Sequence, residues 1–235
     1  MLFVWCKVSF DEKRSHGSAV CETVYFFVEF VCVFPWKCVS LNNQNRGKIM
    51  DGILRKLPIG IQTFEKLREG DYLYVDKTAL VWRIASTETP YFLSRPRRFG
   101  KSLLLSTFEA YFEGKKELFE GLAIADMEKE WKTYPVLHLD LNAEKYDSPQ
   151  ALVEILSRQL TQWELKYGKG EDEETLSGRF AGVIRRASEQ SGRGVVVLVD
   201  EYDKPLLQAL DDGALLDDYR KTLKAFYGVL KSSDR

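Results

Sequence analysis

The sequence predicts an α/β fold in which a mostly parallel sheet is covered by helices on both faces. Two observations lead to this prediction. Short apolar runs suited to buried strands occupy residues 90–93, 135–141 and 194–199, and the longer segments between them have apolar residues at helical spacing. Strands that alternate with helices in this way are joined by crossovers, which bring the strands into one sheet with helices on either side.

The three strand candidates differ in character. Residues 90–93 are aromatic and apolar, and residues 194–199 are almost entirely β-branched, as expected of strands that are buried on both faces. The middle run, residues 135–141, contains His138, which has no cysteine or second histidine near it in the sequence. We interpret His138 as a core or edge histidine rather than a metal ligand.

Helices are predicted where apolar residues recur every three or four positions. In the helix that follows the first strand, these residues are Leu104, Leu105, Phe108 and Phe112. Glycines and charged residues between the periodic segments mark the helix ends. The predicted helices are residues 62–69, 77–85, 101–112, 150–166, 174–190 and 215–230.

The composition suits one such domain. The 235 residues are 45% hydrophobic and 29% charged, which is enough to fill a core and keep the chain soluble. Lys and Arg number 34 against 35 Asp and Glu, so no field of the whole chain marks a nucleic-acid or membrane binder, and any basic site has to be local. The four cysteines all precede residue 39 and fit no zinc pattern, so we interpret them as incidental thiols.

No membrane anchor or secretion signal is predicted. The most apolar stretch, residues 24–34, is too short to span a bilayer and contains Glu29. Charged residues at positions 11–14 interrupt the region where the apolar core of a secretion signal would begin. We therefore expect a cytoplasmic protein that does not enter the membrane.

Residues 1–49 differ from the rest of the chain. A polar run at residues 42–48 precedes Met50, after which the sequence is free of cysteine and regularly patterned. Our leading hypothesis is that residues 1–49 come from an over-extended reading frame and that residues 50–235 form the domain. The rival hypothesis is a small β-rich extension that packs on the domain.

A basic loop joins the strand at residues 90–93 to the helix at residues 101–112. A nucleoside triphosphate is polyanionic, so its site needs inward-pointing backbone N–H groups, a helix N-terminus behind them and a cation that reaches the outer phosphates. Gly100 lets the backbone approach, Lys101 reaches the β and γ oxygens, and the Ser102 hydroxyl is placed to bind magnesium. The strand before the loop and the helix after it provide the structural context that this chemistry requires.

The loop departs from the usual phosphate-loop pattern, in which a first glycine stands five residues before the second. That position is Arg95, which Pro96 biases toward extended conformations, so the loop has to turn differently at its start. The cations of the loop favour an anion site, while a solvated basic loop or a nucleic-acid contact stays open as the alternative. The candidate binding residues are Arg95, Arg97, Arg98, Phe99, Gly100, Lys101 and Ser102.

An acidic pair follows the strand at residues 194–199. Ligands of open α/β sheets bind at the carboxyl ends of strands, so Asp200 is placed to hold magnesium through its water shell and Glu201 to orient or deprotonate an attacking water. The alternative is that these acids only close the strand and cap the next helix. For Asp203 and Lys204 we favour an ion pair or a surface position.

Together, the loop and the acidic pair predict binding of ATP and its magnesium-dependent hydrolysis, with ATP and Mg²⁺ as the ligands. A second hypothesis is a nucleotide-binding switch that does not hydrolyse. A third is a nucleic-acid-associated module in which the basic loop meets a phosphodiester, and the net charge of −1 argues against it.

The chain also resembles the AAA-ATPase-like domain of bacterial proteins that often carry a PD-(D/E)XK nuclease-like domain further along. The resemblance implies a P-loop NTPase fold, with three α/β/α layers and Walker A and Walker B motifs. The phosphate loop of that family reads SRPRRFGKS, so the resemblance makes Arg95 a variant of the family rather than a defect. Nothing before about Met50 takes part. The matching segments are residues 57–60, 64–69, 74–78, 94–102 and 199–206.

The resemblance further implies a domain that is incomplete at its C-terminus. In related P-loop ATPases, a strand that follows the acidic pair inserts between the phosphate-loop strand and the acidic-pair strand, and it bears a polar sensor residue. No such strand follows the last predicted helix. We therefore expect an open position in the sheet, a poorly stable and inactive fragment, and a nuclease-like domain further along in the full-length protein.

Overall fold

The computed structural model of the protein describes the strands and helices that the sequence pattern predicts, together with several short elements. The helices are α1 (Phe64–Glu69), α2 (Thr78–Ala85), α3 (Lys101–Phe112), α4 (Ala123–Met127), α5 (Pro149–Tyr167), α6 (Leu176–Ser191), α7 (Lys204–Gln208) and α8 (Gly213–Ser232), with a 3₁₀ turn at Lys116–Phe119. The described residues are 2–8, 55–87, 90–93, 99–142 and 145–232.

Within this described part, one sheet contains four strands, which are β1 (Leu2–Val8), β2 (Tyr91–Leu93), β3 (Val136–Asp140) and β4 (Val195–Asp200). Their order across the sheet is β2-β1-β4-β3. β3 and β4 pair in parallel, and β1 is antiparallel to both of its neighbours, β2 and β4. Three strands therefore run in one direction and β1 alone opposes them, which agrees with the predicted α/β class.

The position between β2 and β4 is filled, contrary to our expectation of an open gap. Leu2 of β1 is paired with both Leu93 of β2 and Asp200 of β4. The expectation was wrong because an extended segment from the start of the chain can satisfy the same backbone N–H and C=O groups as a strand that follows the acidic pair. The two hypotheses about the origin of residues 1–49 stay predictions.

The two faces of β4 pack against different groups of helices. All six of its residues are buried. Val195, Val197 and Val199 belong to a core formed with α5, α6 and α8, whereas Val196 and Leu198 belong to a core formed with α1 to α4. Burial on both faces explains why this strand reads as an unbroken apolar run. Packing on both sides also fixes the position of its carboxyl end.

Helices α5 and α6 are joined by a buried ion pair. Arg179 donates from Nε to Oε1 of Glu164 at 2.7 Å and from Nη2 to Oε2 at 2.8 Å. The same guanidinium donates to the hydroxyl groups of Ser157 and Thr161. The hydrogen bond and charge of Arg179 outweigh burial and lower the pKa of Glu164. A bidentate ion pair of this kind restrains the angle between the two helices as well as their separation.

The segment at residues 74–78, which contributes to the family resemblance, has a structural role. Oδ1 of Asp76 accepts hydrogen bonds from the backbone N–H and the hydroxyl of Thr78, and its Oδ2 accepts one from the N–H of Ala123. Burial raises the pKa of Asp76, but these hydrogen bonds outweigh burial and the pKa is lowered. Asp76 thus accepts hydrogen bonds from the first residue of α2 and fastens the start of this helix to the start of α4.

None of the helices in the described part of the chain has the length and apolar character needed to cross a bilayer.

Candidate functional site

Helix α3 is held with its first turn near the carboxyl end of β4. Leu105 and Phe108 on α3 are almost fully buried in the core that also contains Val196 and Leu198 of β4. Each such side chain contributes about 2 kcal/mol from burial alone, so the helix is firmly placed on this face of the sheet. The start of α3 is consequently the part of the predicted loop whose geometry can be compared with the acidic pair.

Gly100 precedes α3 in a left-handed conformation, with φ 72° and ψ 27°. Glycine adopts this conformation without the steric cost that a Cβ atom imposes. A Cβ built on Gly100 would have no heavy atom of the described residues within 4 Å, so none of them fills the space on this side of the backbone. Phe99, the residue before it, is 61% exposed. The predicted loop residues Arg95, Arg97 and Arg98 lie outside the described residues.

Ser102 contacts the first residue of the acidic pair. Its hydroxyl donates to Oδ2 of Asp200 at 2.8 Å, across a sequence separation of 98 residues. Oδ1 of Asp200 accepts a hydrogen bond from the backbone N–H of Glu201 at 2.9 Å. Asp200 is only 6% exposed. Its carboxylate is oriented by these two hydrogen bonds, one on each oxygen.

Lys101 contacts the second residue of the acidic pair. Its Nζ lies 3.6 Å from Oε1 of Glu201, and the two side chains are 8% and 26% exposed. A nearly buried ammonium requires such a partner, because removing its charge from water is costly. The side chains of Asp200 and Glu201 both contact residues at the start of α3. The alternative that these acids only close the strand and cap the next helix does not account for these contacts.

Glu201 has an unusual backbone for a residue with a side chain. Its φ is 51°, in the left-handed region that favours glycine. Its N–H is held by Asp200, and its carbonyl accepts a hydrogen bond from the N–H of Lys204 at 3.0 Å. The turn after β4 is therefore fixed on both sides of Glu201 at the cost of local strain, which is a feature often found at functional sites.

Lys204 is tied to the neighbouring strand's loop. Its Nζ donates to the carbonyl and to Oδ1 of Asn142, which follows β3. These amide oxygens are the partners that the structure gives Lys204 in place of an ion pair, at a partly exposed position that is compatible with the surface alternative. Asp203 is the N-cap residue of α7, and its side chain accepts no capping hydrogen bond from the N–H groups of that helix.

Two features near the site were missed from the sequence. Asp140 ends β3 directly beside Asp200 in the parallel ladder, so a third carboxylate stands at the same edge of the sheet. The second feature is a pair formed by His138, two residues before Asp140 on β3, and Glu109 on α3. Nδ1 of His138 lies 3.1 Å from Oε2 of Glu109. The available signal was an aspartate at the end of a second predicted strand, whereas nothing in the sequence connects Glu109 to His138.

The pair of Glu109 and His138 links α3 to the edge of the sheet. Burial lowers the pKa of His138, but the hydrogen bond and charge of Glu109 outweigh burial, so this pKa is raised. The hydrogen bond with His138 is also the main reason that the pKa of Glu109 is lowered. The role of His138 as an edge histidine agrees with the sequence interpretation.

Within the described residues, no group of three or more His, Cys, Asp or Glu side chains could hold a metal ion by itself. The oxygen pair formed by Ser102 and Asp200 suits Mg²⁺, which is commonly bound by one or two protein oxygens and takes its other ligands from water and phosphate. The donor set fits a magnesium ion that arrives with a polyanionic ligand.

A glycine-lysine-serine helix start that faces an acidic strand end, in an α/β fold, is typical of the ATPase class. The family model described as "Predicted AAA-ATPase" matches residues 58–235, and the chain belongs to this AAA-ATPase-like family. The description of this family indicates a general ATPase-like function and nucleotide binding.

A relative in Azotobacter chroococcum mcd 1, described as "Uncharacterized protein in vnfD 5'region", is 43% identical over 181 residues. The match covers 77% of this chain and 35% of the relative, so the chain spans about a third of that protein's length. No solved structure matches the chain significantly.

Proposed function

We propose that this chain binds ATP together with Mg²⁺ and hydrolyses it, as a P-loop NTPase with three α/β/α layers. The observation that carries the proposal is the contact at 2.8 Å between the Ser102 hydroxyl and Asp200, beside the pair of Lys101 and Glu201. Two adjacent residues at a helix start thus meet two adjacent residues at a strand end, as a Walker A and a Walker B motif would.

The phosphates bind at the start of α3. The twelve residues of this helix direct its N-terminal N–H groups and the positive end of its dipole toward the loop. Gly100 leaves open space for close approach of phosphate oxygens, and Lys101 supplies the positive charge. Arg95, Arg97 and Arg98 add charge from the preceding loop.

Ser102 and Asp200 would hold the metal ion. A bound Mg²⁺ would supply positive charge that stabilises the phosphate oxygens. The protein's own contribution is to fix the two oxygens against each other, since Asp200 is buried and oriented by the N–H of Glu201. Glu201, beside Lys101, orients the attacking water and accepts its proton.

Turnover of ATP by the full chain, measured with and without Mg²⁺, tests this proposal. We expect Lys101→Ala to lose both binding and turnover, and Glu201→Gln to retain binding while turnover falls at least 100-fold. Lys116→Ala is the matched control, because it removes an exposed lysine beyond the far end of α3.

Two results would change the proposal. Turnover that survives in Lys101→Ala would show that another site acts on ATP. Tight binding by the wild-type chain with no turnover would favour the nucleotide switch that does not hydrolyse.

A further inference from the structure

The ion pair between Lys101 and Glu201 bears on the proposed reaction in a second way. Nζ of Lys101 is 3.6 Å from Oε1 of Glu201, and the Lys101 side chain is 8% exposed. In the proposed function, the same ammonium meets the outermost phosphate of the nucleotide. The Glu201 carboxylate and an oxygen of the outermost phosphate would therefore both contact Nζ of Lys101.

Two anions beside one ammonium at a partly buried position repel each other more than they would in bulk water, because the local dielectric constant is lower. The γ-phosphate carries the larger charge, and the N-terminal N–H groups of α3 also favour it. The carboxylate is the partner that has to move. Its side chain is 26% exposed, so it has access to solvent when it leaves Lys101.

We propose that Glu201 competes with the terminal phosphate for Lys101, so that Glu201 determines how strongly the site selects nucleoside triphosphates over diphosphates. This inference rests on the proposed function. A diphosphate has no γ-phosphate, and the three N–H donors of an ammonium allow Lys101 to contact a β-phosphate oxygen while it keeps Glu201. Triphosphate binding alone breaks the ion pair, and the competition lowers the affinity for triphosphate.

The backbone around Glu201 limits the movement to the side chain. The N–H of Glu201 is bonded to Asp200 and its carbonyl to the N–H of Lys204, so the turn itself is fixed. A carboxylate displaced from Lys101 by rotation of its own side chain stays near the phosphate that displaced it. The competition thus releases the water-orienting group only when the phosphate to be attacked is present.

The test measures equilibrium binding of ADP and of the non-hydrolysable ATP analogue AMPPNP by calorimetry on the full chain with Mg²⁺. We expect Glu201→Gln to bind AMPPNP about fivefold more tightly than wild type, the order of one partly exposed ion pair, with less than a twofold change for ADP. Glu201→Asp keeps the charge on a shorter side chain, so it should tighten AMPPNP binding by a smaller factor.

Asp140→Asn is the matched control, because it removes a carboxylate from the same edge of the sheet, beside Asp200. If only the total charge near the site mattered, Asp140→Asn and Glu201→Gln would each increase the affinity for ADP and AMPPNP equally, and that result overturns the proposal. Unchanged or weaker AMPPNP binding by Glu201→Gln also overturns it, while wild-type binding that is lost in Lys101→Ala leaves the proposed function standing. Failure of the wild-type chain to bind either nucleotide overturns both.

Discussion

The strained backbone at Glu201 predicts that two substitutions that both abolish turnover differ in their stability. A φ of 51° costs about 1 kcal/mol for a residue with a Cβ atom, and glycine avoids that cost. Glu201→Gly and Glu201→Gln both lose the ion pair with Lys101, and only glutamine keeps the strain. We therefore expect Glu201→Gly to be about 1 kcal/mol more stable than Glu201→Gln, although both variants lose turnover.

Thermal and urea unfolding of the two variants measure this difference. For a chain of this size, about 1 kcal/mol corresponds to a difference in Tm of roughly 2–4 °C. The corresponding control pair is Glu154→Gly and Glu154→Gln at an exposed position within α5, where glycine should instead be the less stable by about 1 kcal/mol. The strain argument is refuted if Glu201→Gly unfolds no later than Glu201→Gln while the Glu154 pair behaves as expected.

Three further outcomes follow from ion pairs and strand pairing. Glu164→Gln should lower the free energy of unfolding by about 3 kcal/mol, because it leaves Arg179 buried without its charge partner. The pKa of Glu164 is lowered in the folded state, so the stability of the wild type should fall as pH drops from 4.5 through that pKa. Urea titrations at several pH values measure both effects. The raised pKa of His138 contributes stability that is complete below pH 6.5 and lost as pH rises through the raised value, so His138→Gln should flatten that decline in the same titrations. Val4→Pro should destabilise the chain by about 2 kcal/mol relative to Val4→Ala in thermal unfolding, because Val4 is paired with strands on both sides; equal stability would contradict the placement of β1.

Periodic segments were predicted well because their helical pattern is local. The predicted helix at residues 101–112 coincides with α3 (Lys101–Phe112), and the other long helices end within about two residues of their predicted bounds. The short helix α4 was missed because its start depends on the hydrogen bond from Ala123 to Asp76, 47 residues away. β1 was not predicted as a strand of this sheet, although one hypothesis allowed a β-rich extension, because its pairing depends on a place in the sheet rather than on its own sequence.

The chemistry of the candidate site was predictable by residue type, and its contacts were not. Glycine, lysine and serine at a helix start and two acids at a strand end can be recognised one segment at a time. The pairing of Lys101 with Glu201 depends on how far α3 reaches across the sheet, and no spacing in the sequence contains that distance. The same holds for Asp140, whose place beside Asp200 is set by the register of β3 against β4.

The geometry of the sheet explains how two motifs on strands that do not touch can form one site. β2 and β4 are separated by β1, so their axes are about 10 Å apart at the usual strand spacing. The start of α3 reaches the end of β4 because α3 packs over Val196 and Leu198 of that strand. Neighbouring strands have nearly the same spacing whether they run parallel or antiparallel, so the contact between Ser102 and Asp200 depends on the middle position being filled and not on the direction of the strand that fills it.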